Sequence, residues 1–129
     1  MKEESTLTEQ ALSSLPCSTI VYRAILKNSW INQDTRKVDA SAYILRPEET
    51  GLSVRIAELC PPDKCAEKFK RCRTVVSLHV GKIRDIGLDV IADGADHASI
   101  ERLPSNDPAK AERLAGLLAE QSRIAWEKH

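Results

Sequence analysis

Residues 74–80 read TVVSLHV, seven positions dominated by valine and other residues that favour extended backbone. Val76, Leu78 and Val80 alternate with Val75, Ser77 and His79, so one face is wholly aliphatic while the other carries a hydroxyl and an imidazole. That period of two in a β-branched run is the signature of a half-buried strand. A lone strand cannot bury its aliphatic face, so the run requires a sheet, and the flanking sequence supplies its partners.

Upstream, Ser18–Leu26 (STIVYRAIL) is equally rich in β-branched and aromatic residues and predicts the first strand. Leu52, Val54 and Ile56 alternate with Ser53, Arg55 and Ala57, which predicts another over Leu52–Glu58. Ala40–Arg46 lies before it across PEETG, and a proline-to-glycine connector of that length predicts a hairpin. Downstream, Leu88–Ala92 and His97–Leu103 flank the turn DGAD and predict two short strands, with KIRDI between Gly81 and Gly87 as a turn or single helical turn.

Two segments change the period. In CPPDKCAEKFKRC, prolines 61 and 62 suit a first helical turn, and Cys65, Phe69 and Cys72 follow at i, i+4 and i+7, predicting a short helix. From Asp107 to Trp126, an N-cap aspartate and Pro108 precede Ala111, Leu114, Leu118, Gln121 and Ala125 on one face, broadened by Leu117 and Ile124. A helix over that whole span is expected, with Gly116 opposite its apolar face, either weakening it or admitting another backbone. The class that results is α+β: a mainly antiparallel twisted sheet of about five or six short strands, a short middle helix and a long C-terminal helix.

The 129 residues fit one domain over 18–129, preceded by a tail at 1–17 in which Leu7, Ala11, Leu12 and Leu15 have helical spacing. Lys+Arg and Asp+Glu both number 19, so net charge demands neither nucleic acid nor a membrane as partner. No window approaches the roughly eighteen apolar residues of a membrane span, and the acidic MKEESTLTEQ is unlike a secretory signal. The expectation is a cytoplasmic protein with Cys17, Cys60, Cys65 and Cys72 reduced. Cys60-x4-Cys65-x6-Cys72 lacks the paired spacing of a zinc site, so no metal is expected, and no cofactor motif is present.

Several phrases, VYRAI, NSWI, GLSVRIA, SLHVGKIRDIGLDVIAD, DHASI and AERLAGLLA, resemble a group of short, uncharacterised bacterial proteins over residues 20 to about 125. That resemblance implies one intact domain and carries no catalytic residues. A second resemblance concerns architecture alone. An arginine on the first strand, a serine or tyrosine on a middle strand and a polar group on a late strand resembles toxins of the ADP-ribosyl transferase type. Arg23, Ser53 and His97 occupy those positions, whereas the expected late-strand glutamate has no clear counterpart, Glu101 lying near a strand end.

Two functions follow from different classes. The absence of Walker, GxGxxG, HExxH, GxSxG and helix-turn-helix motifs favours a small module that binds a protein partner, of the kind found in bacterial conflict or toxin–antitoxin systems. Its binding candidates are Lys68, Lys70, Arg71 and Arg73 with Trp30. The four cations fall in Lys64–Arg84, where seven basic residues face one acid, a stretch that also suits nucleic acid. The rival is an enzyme acting on RNA or a nucleotide, by acid/base cleavage or ADP-ribosyl-type transfer. Its candidates are His79 and His97 as acid and base, Arg23 and Arg84 as anion stabilisers, and Tyr43. Convergence of those five on one concavity distinguishes an enzyme from a module.

Overall fold

The computed structural model describes residues 15–128. The helical pattern at Leu7, Ala11 and Leu12 lies outside the described residues. Leu15 packs on the main core and the Cys17 carbonyl accepts from the Gly81 N–H at 2.9 Å.

Six antiparallel strands form one sheet: β1 (Ile20–Ile25), β2 (Leu52–Ile56), β3 (Thr74–His79), β4 (Asp89–Ala92), β5 (His97–Glu101) and β6 (Arg123–Glu127), in the spatial order β4-β5-β2-β1-β3-β6. Alternation decides which side chains go where. Val21, Leu52, Val54, Val76, Leu78, Val90 and Ile100 point to one face and form the main core. Above it lie α2 (Val80–Asp85) and α3 (Pro108–Gln121), the latter burying Leu114, Ala115, Leu118 and Ala119. The opposite face is polar over much of its area, except where α1 (Pro62–Glu67) covers Ala24 and Val75 with Cys60, Cys65 and Cys72. The fold is therefore α+β, with the sheet, the middle helix and the C-terminal helix in the predicted order.

Three local expectations fail. Ala40–Tyr43 is a 3₁₀ turn rather than a strand, so the hairpin across PEETG does not form. The cause is Asp39, whose carboxylate accepts from the Ser41 N–H at 2.9 Å and closes a turn that drives Ala42 and Tyr43 into the core. The middle helix ends at Glu67, with Lys68 as its C-cap, and the chain continues to Cys72 through single turns. The C-terminal helix stops at Gln121. Ser122 leaves the helix at ψ 141°, and Arg123–Glu127 pairs with the free edge of β3 instead. An open strand edge offers this segment a row of unpaired backbone groups, and that outweighs its helical spacing. Trp126 consequently sits in β6, packed on the cysteine cluster, rather than at a helix end.

Candidate functional site

The sheet is not uniformly paired. β1 meets β3 along its whole length, from Ile20 opposite His79 to Ile25 opposite Thr74. Its other neighbour, β2, is matched only at Val21–Ile56 and Tyr22–Arg55. Beyond Tyr22 the central strands part: Arg23, Ala24 and Ile25 have no β2 partner, while Leu52, Ser53 and Val54 pair only with β5. A parting within a sheet frees backbone groups that must find other partners.

Arg23 supplies them. Its Nε donates to the Ala42 carbonyl at 2.9 Å and its Nη1 to the Ser53 carbonyl at 2.7 Å, so one side chain links β1, the 3₁₀ turn and β2. The guanidinium lies 5.8 Å from the Trp30 ring centre and 5.5 Å from that of Tyr43, within cation–π range of both. Trp30 and Tyr43 are themselves buried, and the Tyr43 hydroxyl is hydrogen-bonded to Ser122, so this aromatic seat is held from behind. Burial pushes Arg23 below its ordinary value, against the opposing influence of Tyr43 and Glu49. Among the described residues no carboxylate lies within 4.0 Å of the guanidinium, and its remaining N–H groups have no protein acceptor.

Those groups line a cleft of about 250 Å³ that occupies the parting. Tyr22, Ser53 and Arg55 wall it on the polar side with Phe69 and Cys65 from the α1 segment; Trp30, Arg46 and Glu49 wall it on the side of Arg23. Arg55 differs from Arg23 in being neutralised, with Asp96 at 2.8 Å. Among the described residues Glu49 is the lone carboxylate of the lining, and its Oε1 accepts from the Arg46 N–H at 2.8 Å.

The other sequence candidates lie apart. His79 is exposed at the end of β3 opposite Ile20, whereas His97 is on β5 opposite Arg55, with β1 and β2 between the two strands. They do not form an acid/base pair. His97 Nδ1 is hydrogen-bonded to the Asp93 carboxylate, which also accepts from Ser99 Oγ at 2.7 Å. Burial pushes Asp93 up, but those two bonds outweigh it and hold the carboxyl below its ordinary range. Arg84 is on α2, paired with Asp89 at 2.9 Å and 3.4 Å from the Cys17 sulfur. Tyr43 stands behind Arg23 rather than in the cleft, and burial pushes its hydroxyl up to about 12, which removes it as a base near neutrality.

The basic stretch is also divided. Lys64 pairs with Glu67 at 3.4 Å and Lys68 lies 3.7 Å from Asp96, while Lys70, Arg71 and Arg73 gather elsewhere with Lys27 and Lys128. Trp30, a binding candidate by sequence, is a core residue that backs Arg23. Cys60, Cys65 and Cys72 are buried and unpaired, burial raising each thiol and taking Cys65 to about 12. Among the described residues no group of three His, Cys, Asp or Glu could hold a metal, and no helix is long and apolar enough to cross a membrane.

Sequence reading picked out Arg23 and Ser53 but not Arg46, Glu49, Tyr22 or Phe69, because their shared position depends on the parting of β1 from β2. Comparison with known proteins adds nothing to this geometry: no protein-family model, curated protein or solved structure matches the chain.

Proposed function

We propose that the cleft binds one end of a nucleotide through Arg23 and that the chain transfers an ADP-ribosyl group from it. A single observation carries the reading: a half-buried guanidinium with no carboxylate within 4.0 Å among the described residues, fixed by two carbonyls and two rings, facing the opening between the central strands. A desolvated charge left unpaired costs stability, and a phosphate is the anion whose oxygens best fit the planar guanidinium fork. Ser53, thirty residues from Arg23 in sequence, bonds it through its carbonyl. These are two of the three positions in the resemblance to ADP-ribosyl transferase toxins, and the third, His97, stands on the adjacent strand. On sequence alone a binding module is the simpler choice. The five sequence candidates do not converge, which counts against acid/base cleavage by the histidines; the placement of Arg23 in the cleft is what supports the transfer form of the rival.

The pattern departs from that resemblance at its carboxylate. The β5 residues are absent from the cleft lining, and the carboxylate there among the described residues is Glu49, from the connector before β2. In the transfer the ribose C1′–N bond of NAD⁺ breaks with its electron pair leaving on nicotinamide. An acceptor oxygen bonds to C1′, and the acceptor's proton passes to Glu49 or to water. Arg23 holds the phosphate, and Glu49 faces the positive charge that develops on the ribose. A cleft of about 250 Å³ accommodates the ribose–phosphate end rather than a whole dinucleotide.

Calorimetric titration with NAD⁺ and ADP-ribose, together with chromatography of released nicotinamide, tests this. The wild-type chain is expected to bind both and to release nicotinamide. Arg23→Lys keeps the charge but loses the fork, and is expected to weaken binding at least about tenfold. Glu49→Gln is expected to bind normally and release no nicotinamide. A folded wild-type chain that binds neither compound at millimolar concentration overturns the proposal.

A further inference from the structure

At the end of the sheet beyond the cleft, three segments distant in sequence bring positive charge together. Lys27 follows β1, Lys70, Arg71 and Arg73 precede β3, and Lys128 follows β6. All five are exposed, and none has a carboxylate within 4.0 Å among the described residues. They line two overlapping shallow grooves of about 370 and 660 Å³, which share Lys27, Arg71, Arg73 and Lys128. Among the described residues Glu127 is the sole acid in either lining, and Arg36 already occupies it. The helix dipole does not account for this cluster, since α1 ends at Glu67 and the three cations before β3 lie past its last turn. In a chain whose formal charge is zero, concentration of cations on one surface marks a partner of opposite sign.

We propose that this surface binds the phosphate backbone of a nucleic acid, without reading its sequence. A protein partner would need apolar anchors, because interface energy is concentrated in a few buried apolar or aromatic contacts. The exposed large hydrophobics Ile20, Ile44, Leu59 and Ile124 all lie outside the two grooves. No aromatic ring lines either groove, so stacking on bases has no platform and charge carries the affinity. Leu26 lines both grooves and also the cleft, so a strand laid across the cations passes the mouth of the Arg23 site. The binding itself does not rest on the transferase reading.

Fluorescence anisotropy with labelled single-stranded RNA, single-stranded DNA and duplex DNA, measured over a salt series, tests the proposal. Neutralising about four phosphates gives a slope of log K against log salt near −3 for single strands. Lys70→Gln/Arg71→Gln/Arg73→Gln is expected to shorten that slope by about 2 and to weaken binding at least about tenfold at low salt. Lys64→Gln/Lys82→Gln, exposed elsewhere, serves as the control and is expected to change neither. Arg23→Lys is expected to retain nucleic-acid binding, which separates this surface from the cleft. The inference is overturned by no binding at low salt, by binding indifferent to the triple variant, or by displacement by equimolar pyrophosphate. The last reassigns the grooves to the distal phosphates of a small nucleotide. Tighter binding of poly-glutamate than of any oligonucleotide also overturns it, in favour of an acidic protein.

Discussion

The two flanks of β1 are built to different ends. Toward β3 the strand is paired from Ile20 to Ile25, and Leu78 and Val76 on that neighbour are sealed in the core. Toward β2 it is paired at two positions only, and a charged side chain occupies the space where backbone would otherwise meet backbone. Continuous pairing with an aliphatic face maximises buried apolar area, the main favourable contribution to folding. Giving up that pairing to seat a desolvated guanidinium forfeits stability, and such sacrifices concentrate at functional sites. The closed flank holds the molecule together, and the open one carries the proposed site.

If that division is right, truncation on the closed flank produces the largest loss. Leu78→Ala removes a side chain that is 0% exposed, and is expected to destabilise by about 2–5 kcal/mol. Urea unfolding measures it, and a loss below about 1 kcal/mol would mean that this flank is loosely packed after all. The folded fraction of the variant should bind nucleotide as the wild type does, since Leu78 does not line the cleft.

Arg23→Met probes the opposite flank. The substitution leaves the Ala42 and Ser53 carbonyls without this donor but also abolishes a desolvated charge. These effects oppose each other, so the net change is expected to be about 1 kcal/mol or less. A loss comparable to that of Leu78→Ala would recast Arg23 as a structural brace and remove the contrast.

How much of this was legible beforehand depends on how local each signal is. β1, β2, β3 and the β4–β5 hairpin follow from alternation and turn residues within each segment, and the start of α3 follows from Asp107 and Pro108. The 3₁₀ turn at Ala40–Tyr43 is hard to read because the Ala-Tyr-Ile-Leu run at 42–45 that overlaps it suggests a strand, although Asp39 carries the capping signal. β6 could not be read from its own residues. Ile124 and Ala125 continue the helical stripe of Leu114 and Leu118, and only the free edge of β3 decides against it. The cleft is harder still: Arg23 and Ser53 stand out individually, but the parting that unites them with Arg46, Glu49 and Phe69 is a property of the whole sheet. His79 and His97 were attractive for their chemistry alone, and alternation says nothing about how many strands separate two residues.

Gly116 sharpens the same contrast from the helix above the core. A Cβ built there meets nothing within 4 Å among the described residues, so the glycine serves no close approach of any of their backbones and weakens α3. Gly116→Ala is expected to raise stability by about 0.5–1 kcal/mol without affecting nucleotide or nucleic-acid binding. A loss of stability, seen as a lower urea midpoint, would show that the helix needs this position bare.

The smallest effect is expected where the polar side of the open flank is braced. Asp96 links Arg55, which pairs opposite Tyr22 on β1, to Lys68 at the end of α1. Burial pushes the Asp96 carboxyl up, but bonds from Arg55 and Cys60 and the charges of Arg55 and Lys68 outweigh it and hold it below its ordinary value. A depressed carboxyl stabilises the fold fully above the unfolded value of about 3.9, and the contribution fades as pH falls through the lower folded value. Because the groups are partly solvated, the contribution is expected to be only a few tenths of a kcal/mol near neutrality. Asp96→Asn should therefore be slightly less stable than wild type at pH 7, with the gap closing as the solution is acidified below about pH 4. Urea midpoints of both proteins along a pH series measure it. A gap that persists unchanged into acid would mean that Asp96 braces the flank by packing and hydrogen-bond geometry rather than by charge.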